Sequence, residues 1–143
     1  MHLSEIMNYD SLLLDLKLRD LNHAFDHLSA LASELTGVRQ NTILSALQAR
    51  AQQGLVVQSG AAIPHARVEG LRQVAAFYVR LREPIIENNE PIDTLFLLLA
   101  PHDADGQHLR AIAKVAGLLR QPDTMQALRA APTREDVWQI LTR

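Results

Sequence analysis

The chain has 143 residues, no cysteine, and 14 Lys+Arg against 16 Asp+Glu, giving a formal net charge of -2 at pH 7 with histidines neutral. A chain of this length is one ordinary domain (residues 1–143) that buries about 70% of its unfolded surface, so its 48% hydrophobic residues supply a core without a disulfide or structural metal. Balanced charge and six aromatics in all (one Trp, two Tyr, three Phe) argue against a nucleic-acid groove, and the missing cysteines exclude thiol catalysis and thiolate metal sites.

The N-terminus carries Glu5 and Asp10 where a secretory leader would place positive charge before an apolar core, and His2 lies in an end expected to fray. We expect a soluble cytoplasmic protein. Leu21, Phe25, Leu28, Ala32 and Leu35 recur at helical spacing, predicting an amphipathic helix from about Leu18 to Leu35 that stops near Gly37. A second helix is expected from about Asn41 to Gln53 with Ile43, Leu44, Leu47 and Ala51 buried and Arg50 at the edge of that stripe. Ala61 to Ile63 is a short strand candidate ended by Pro64. From Gln73 to Arg82 the period changes to two, as in a strand. Thr94 to Ala100 is apolar on both sides, which suits a central strand covered by helices; its apolar core of six residues is far short of the ~20 that cross a bilayer.

Helices follow. Asp105 is the expected N-cap of a helix over Gln107 to Arg120 with a Leu109, Ile112, Ala116, Leu119 stripe; Asp123 with Gln126, and Thr133 with Asp136, each match a capping box. No linker or repeat divides the chain. The expected fold is α/β, a single domain with a central mixed sheet flanked by helices on both faces.

Without cysteine or a nucleophile elbow, reactive chemistry falls to histidine, serine and carboxylates. His23 and His27 are four apart, but both face away from the apolar stripe, and Ala24 stands where a metal-binding helix of the zincin type has Glu. His65 is set apart by Pro64, which fixes the chain course and cannot donate to a ladder; the histidine should sit at the edge or end of the sheet, where strand gives way to loop. His108 falls in the first turn of a helix, where free backbone N–H groups and the helix dipole favour an anion. A metal site from His65, His102 and His108 would lack a carboxylate to complete it.

Taken in order, Gly60-Ala61-Ala62-Ile63-Pro64-His65-Ala66-Arg67, then Phe96-Leu97-Leu98-Leu99-Ala100-Pro101 followed by His108-Leu109, then Leu128-Arg129-Ala130-Ala131 with Glu135 and Leu141, resemble the type-2 enzyme IIA domain of the bacterial phosphoenolpyruvate-dependent phosphotransferase system. The resemblance implies that His65 accepts a phosphoryl group on Nε2 from the phosphocarrier protein HPr, that His108 helps to hold it, and that Arg50, Ser59, Gly60 and Arg67 border the phosphate. It implies no cofactor and no metal. Two departures stand out: the family's Thr-Gly-Ile-Gly run is replaced by Leu55-Val56-Val57-Gln58, and the connection from Glu83-Pro84-Ile85 to Pro91-Ile92-Asp93 lacks the usual Asp-Gly turn. Alignment from His65 without a gap places the family's helix arginine at Ala49, one residue before Arg50.

The segment Leu3-Ser4-Glu5-Ile6 resembles the nitrogen-regulatory branch of that family. The implied role is a signal: phosphate on His65 changes which regulatory target protein docks, with Ala66, Val68 and Leu71 as a candidate rim. Two other readings stay open. One is a fructose- or mannitol-type IIA that hands phosphate to a membrane-bound IIB component, and the other is a binding module of the same fold that no longer carries phosphate.

Overall fold

Alternation along the central strand determines the layering. The computed structural model describes residues 1–143 apart from the side chain of Asp105. Its strands are β1 (Leu12–Leu16), β2 (Val56–Gln58), β3 (Ala61–Ile63), β4 (His65–Val68), β5 (Ala75–Glu87) and β6 (Glu90–Pro101); its α-helices are α1 (Leu21–Thr36), α2 (Gln40–Ala51), α3 (Asp105–Leu119), α4 (Pro122–Ala130) and α5 (Arg134–Leu141). On β6, Leu95, Leu97 and Leu99 pack with Phe25 and Leu28 of α1 and with Ile43 and Leu47 of α2. Phe96, Leu98 and Ala100 pack with Ala111 and Val115 of α3, Leu128 of α4 and Val137 of α5. Both faces of the strand are therefore covered, as its continuous apolar sequence requires.

The sheet order is β1-β5-β6-β3-β2, with β4 also on β6. β5 and β6 are antiparallel, β1 runs parallel to β5, and β3 and β4 run parallel to β6, so the sheet is mixed. β3 and β4 form one line past Pro64: Ala61 pairs with Thr94 and His65 with Leu98, the same offset on both sides of the proline. The Pro64 carbonyl still accepts the Leu98 N–H at 3.0 Å. β2 pairs antiparallel with β3 only as far as Val56 opposite Ile63, which leaves the outer side of β4 as an edge.

Several expectations need correction. α1 begins at Leu21, because the Asp20 side chain accepts the His23 N–H at 2.8 Å, while Gly37 ends it in the left-handed conformation (φ 80°). His23 is half-buried, and its Nδ1 accepts the Arg19 N–H. α3 begins at Asp105 with Ala104 in the N-cap position; the expected Asp105 side-chain cap lies outside the described residues. Its buried residues are His108, Ala111, Val115, Leu118 and Leu119, with Ile112 and Ala116 packed beside them; of the predicted stripe only Leu109, 64% exposed, faces out, and His108 takes the core position beside it. α4 starts on Pro122 after Gln121, so Asp123 is no cap, whereas Thr133 does cap α5 by accepting the Asp136 N–H at 3.2 Å. The connection after Arg82 is a long hairpin: Asn88 and Asn89 both have positive φ (51° and 65°), a type I′ turn in place of Asp-Gly. The N-terminus is held down by Leu3 and Met7, both buried, although His2 is exposed.

Candidate functional site

Pro64 directs the site. It keeps Ile63 extended, so the Ile63 carbonyl comes to 2.8 Å from His65 Nδ1. A carbonyl only accepts, so Nδ1 carries the proton and, in the neutral ring, Nε2 keeps a lone pair. His65 shares its strand parity with Ala61 and Ile63, which face the α3 layer. It does not give way to loop, as expected, but starts the edge strand β4.

His108 lies on the buried stripe of α3 in its first turn, and its ring centroid is 5.6 Å from that of His65 at an interplanar angle of 49°. The two residues are 8% and 6% exposed, so this is a desolvated pair at the sheet edge rather than a surface cluster. Burial holds the His65 imidazole below its usual pKa of 6.5; the Ile63 hydrogen bond opposes this, and the nearby Arg50 charge adds to it. The ring is thus neutral at pH 7, which is the form a nucleophile needs.

Arg50 approaches from the last turn of α2, which packs on β4. Phe25, Leu47, Gly54, Leu55 and Pro64 line a cavity of about 10 Å³ with Arg50 and His65, close to the least that admits a single water. The structure therefore brings Arg50 to His65, although ungapped alignment falls on Ala49. Leu55 reaches the same place because β2 runs antiparallel to β3, and the residue before Val56 lies beside Pro64. An apolar side chain borders His65 where the family's threonine would stand.

Ser59 and Gly60 are not brought to this site. The Gly60 carbonyl accepts the Asp93 N–H at 2.9 Å, whereas His65 pairs with Leu98, five residues farther along β6 and so about 17 Å away. Arg129 fixes that distant turn through Asp93, with Nε 2.9 Å from Oδ2, and through the Ser59 carbonyl. A Cβ on Gly60, whose φ is +79°, would come within 2.9 Å of Arg129 Nη2, so this glycine serves packing of the turn. Arg67 is exposed on β4 opposite Ala100, on the same face as His65 and about 7 Å along the strand. Ala66, Val68 and Leu71, the candidate rim, are buried core instead. His102 is exposed, and among the described residues no group of three His, Cys, Asp or Glu side chains is placed to hold a metal. Among the described residues, no helix is long and apolar enough to cross a membrane.

Comparison with known proteins identifies the family and the fold. A family model described as "Phosphoenolpyruvate-dependent sugar phosphotransferase system, EIIA 2" matches residues 5–143. A nitrogen regulatory protein of Bradyrhizobium diazoefficiens is 33% identical over 99% of this chain and 95% of its own, and one from Escherichia coli K12 is 31% identical over 99% and 90%. The crystal structure of nitrogen regulatory protein IIA-Ntr from Neisseria meningitidis superposes with a TM-score of 0.89 at 29% identity, covering 96% of this chain and 97% of that one. Enzyme IIAMtl from Escherichia coli, solved in complex with phosphorylated IIBMtl, shares the fold alone, with a TM-score of 0.80 at 12% identity over 95% and 98% of the two chains. With a family match over nearly its whole length and relatives of this similarity, the chain belongs to the type-2 enzyme IIA family of the phosphoenolpyruvate-dependent sugar phosphotransferase system.

Proposed function

We propose that the protein is a regulatory phosphoryl carrier that takes a phosphoryl group from phosphorylated HPr onto His65 Nε2 and signals through phosphorylation-dependent protein binding. One observation carries this reading: the Ile63 carbonyl holds the His65 Nδ1 proton and leaves Nε2 as the lone-pair nitrogen of a neutral ring. In the transfer, that lone pair attacks phosphorus while the bond from phosphorus to the donor nitrogen breaks, and the donor keeps that electron pair. Such a transition state needs alignment and donors around spread charge more than covalent help. His108 at the start of α3, the N–H groups of that first turn and the Arg50 guanidinium supply them. Arg67 on the same face adds positive charge to the approach.

The dianionic group then sits at a sheet edge where His65 had been neutral, which changes the partners that edge accepts. The nitrogen regulatory relatives favour this regulatory task. The IIAMtl fold neighbour, seen with IIBMtl, keeps onward transfer to a IIB component as the second reading. Incubation with phosphoenolpyruvate, enzyme I and HPr, read by intact mass, is expected to give one acid-labile phosphoryl adduct that His65→Ala abolishes. No adduct from phosphorylated HPr would mean that the Leu55 to Gln58 replacement has left a phosphate-independent binding module. Transfer from the adduct to a purified IIB domain would overturn the purely regulatory task.

A further inference from the structure

We propose that Gly54 is a positioning residue for phosphoryl transfer: its carbonyl, turned back by a left-handed backbone, holds the Arg50 guanidinium beside His65. The inference rests on the reading of His65 as phosphoacceptor and assigns a role to a residue outside the motif that suggested it. Three observations meet at this turn. Arg50 Nη1 donates to the Gly54 carbonyl at 2.8 Å. Gly54 has a φ of +113°, and the chain reaches it through two tight hydrogen bonds, Gln53 N–H to the Arg50 carbonyl (3.0 Å) and Gly54 N–H to the Ala51 carbonyl (3.1 Å). Gly54, Arg50 and His65 all border the same small cavity.

Arg50 sits at the end of an exposed helix terminus, where a long side chain with four rotatable bonds would otherwise sample many directions. Fixing it before the phosphoryl donor arrives removes that ordering cost from the transfer step. One of five guanidinium N–H groups is used on the carbonyl, and the rest stay available to an anion. A Cβ at Gly54 meets nothing within 4 Å, so a substitution there acts through the backbone alone. An L-residue disfavours φ +113°; the peptide must rotate, and the carbonyl leaves Arg50.

The test compares wild type, Arg50→Ala, Gly54→Ala, the double variant and Gly37→Ala, whose positive-φ glycine caps α1 with equally open space around it. Two readouts are taken: the rate of phosphoryl acceptance from phosphorylated HPr, and the titration of the His65 ring by NMR in the unphosphorylated protein. Gly54→Ala is expected to slow acceptance about tenfold and Arg50→Ala about a hundredfold, with the double variant no slower than Arg50→Ala. Both single variants raise the His65 pKa, because the guanidinium leaves or is lost, and Gly37→Ala moves neither readout. Gly54→Asn, which tolerates left-handed backbone better than Ala, lies between wild type and Gly54→Ala and keeps the comparison open if Gly54→Ala fails to fold. A wild-type rate and titration in Gly54→Ala, or additive losses in the double variant, would overturn the role of Gly54 while leaving the phosphoacceptor intact. Acceptance by His65→Ala would instead bring down the reading on which it rests.

Discussion

His65 gives up proton affinity in order to be buried. Its pKa is lowered, so between pH 6.5 and its folded value the unfolded chain binds a proton that the folded chain does not. This contribution to stability is constant above that window, falls as pH drops through 6.5, and is flat again below the folded value. His65→Gln, which cannot take up a proton, is therefore expected to show a shallower loss of stability between pH 7.5 and pH 5 in urea titrations; equal slopes would contradict the placement. Leu55 offers a second residue-scale test. Leu55→Thr puts a hydroxyl at the cavity edge beside Arg50 and His65, and one hydrogen bond to a charged phosphoryl group should shift the transfer equilibrium from HPr toward this protein about tenfold, measured by the phosphorylated fraction at fixed donor. The places of His65 at the sheet edge and of His108 in the first turn of a helix were legible in the sequence because proline and helix-start chemistry are local signals. Ser59 and Gly60 were misread because closeness in sequence along an extended strand means distance in space: six residues from Ser59 to His65 span the sheet. Arg50 was legible from its place at the edge of the α2 stripe, although ungapped alignment falls on Ala49.

At the scale of elements, caps and turns carry measurable weight. Thr133 accepts the Asp136 N–H, so Thr133→Ala should lower stability by about 1 kcal/mol. Asp123 caps nothing, since α4 begins on Pro122, and Asp123→Ala should change stability by no more than about 0.5 kcal/mol. Denaturant midpoints of the two variants check the pair, and equal losses would contradict the assigned helix starts. The hairpin adds a third case: Asn89→Ala forces alanine into left-handed backbone (φ 65°) and should cost about 1 kcal/mol by the same measurement. The strands β3 and β6 and the helices α1 to α5 show in the hydrophobic pattern. β1 does not, because Leu12-Leu13-Leu14 has no alternation to separate strand from helix, and the outer half of β5 is concealed by a register shift between Arg80 and Ile85. The start of the α3 stripe was misjudged at Leu109, because His108, a polar residue, occupies the core-facing position that a hydrophobic count assigns to solvent. Arg80 also has a structural partner: from β5 it donates to the Leu128 and Ala131 carbonyls at 2.8 and 2.7 Å, closing the C-terminal end of α4.

Across the whole molecule, two helical layers clamp a strand that both of them need, and the edge that bears His65 lies where β2 stops short of covering β4. The layers bring one group each to His65: α3 contributes His108 and α2 contributes Arg50. On the proposed function, a phosphoryl group there would bridge the two layers, and its charge would be felt on both sides of the sheet edge rather than at a single side chain. On the proposed function the acceptor atom is Nε2 of His65, chosen by the Ile63 carbonyl. Phosphorus–proton correlation NMR on the phosphorylated protein reads it out, since phosphorus on Nε2 lies three bonds from both carbon-bound ring protons of the histidine and phosphorus on Nδ1 from only one. Coupling to both ring protons of His65 is the expected result; coupling to one, or a signal on any other histidine, would contradict it.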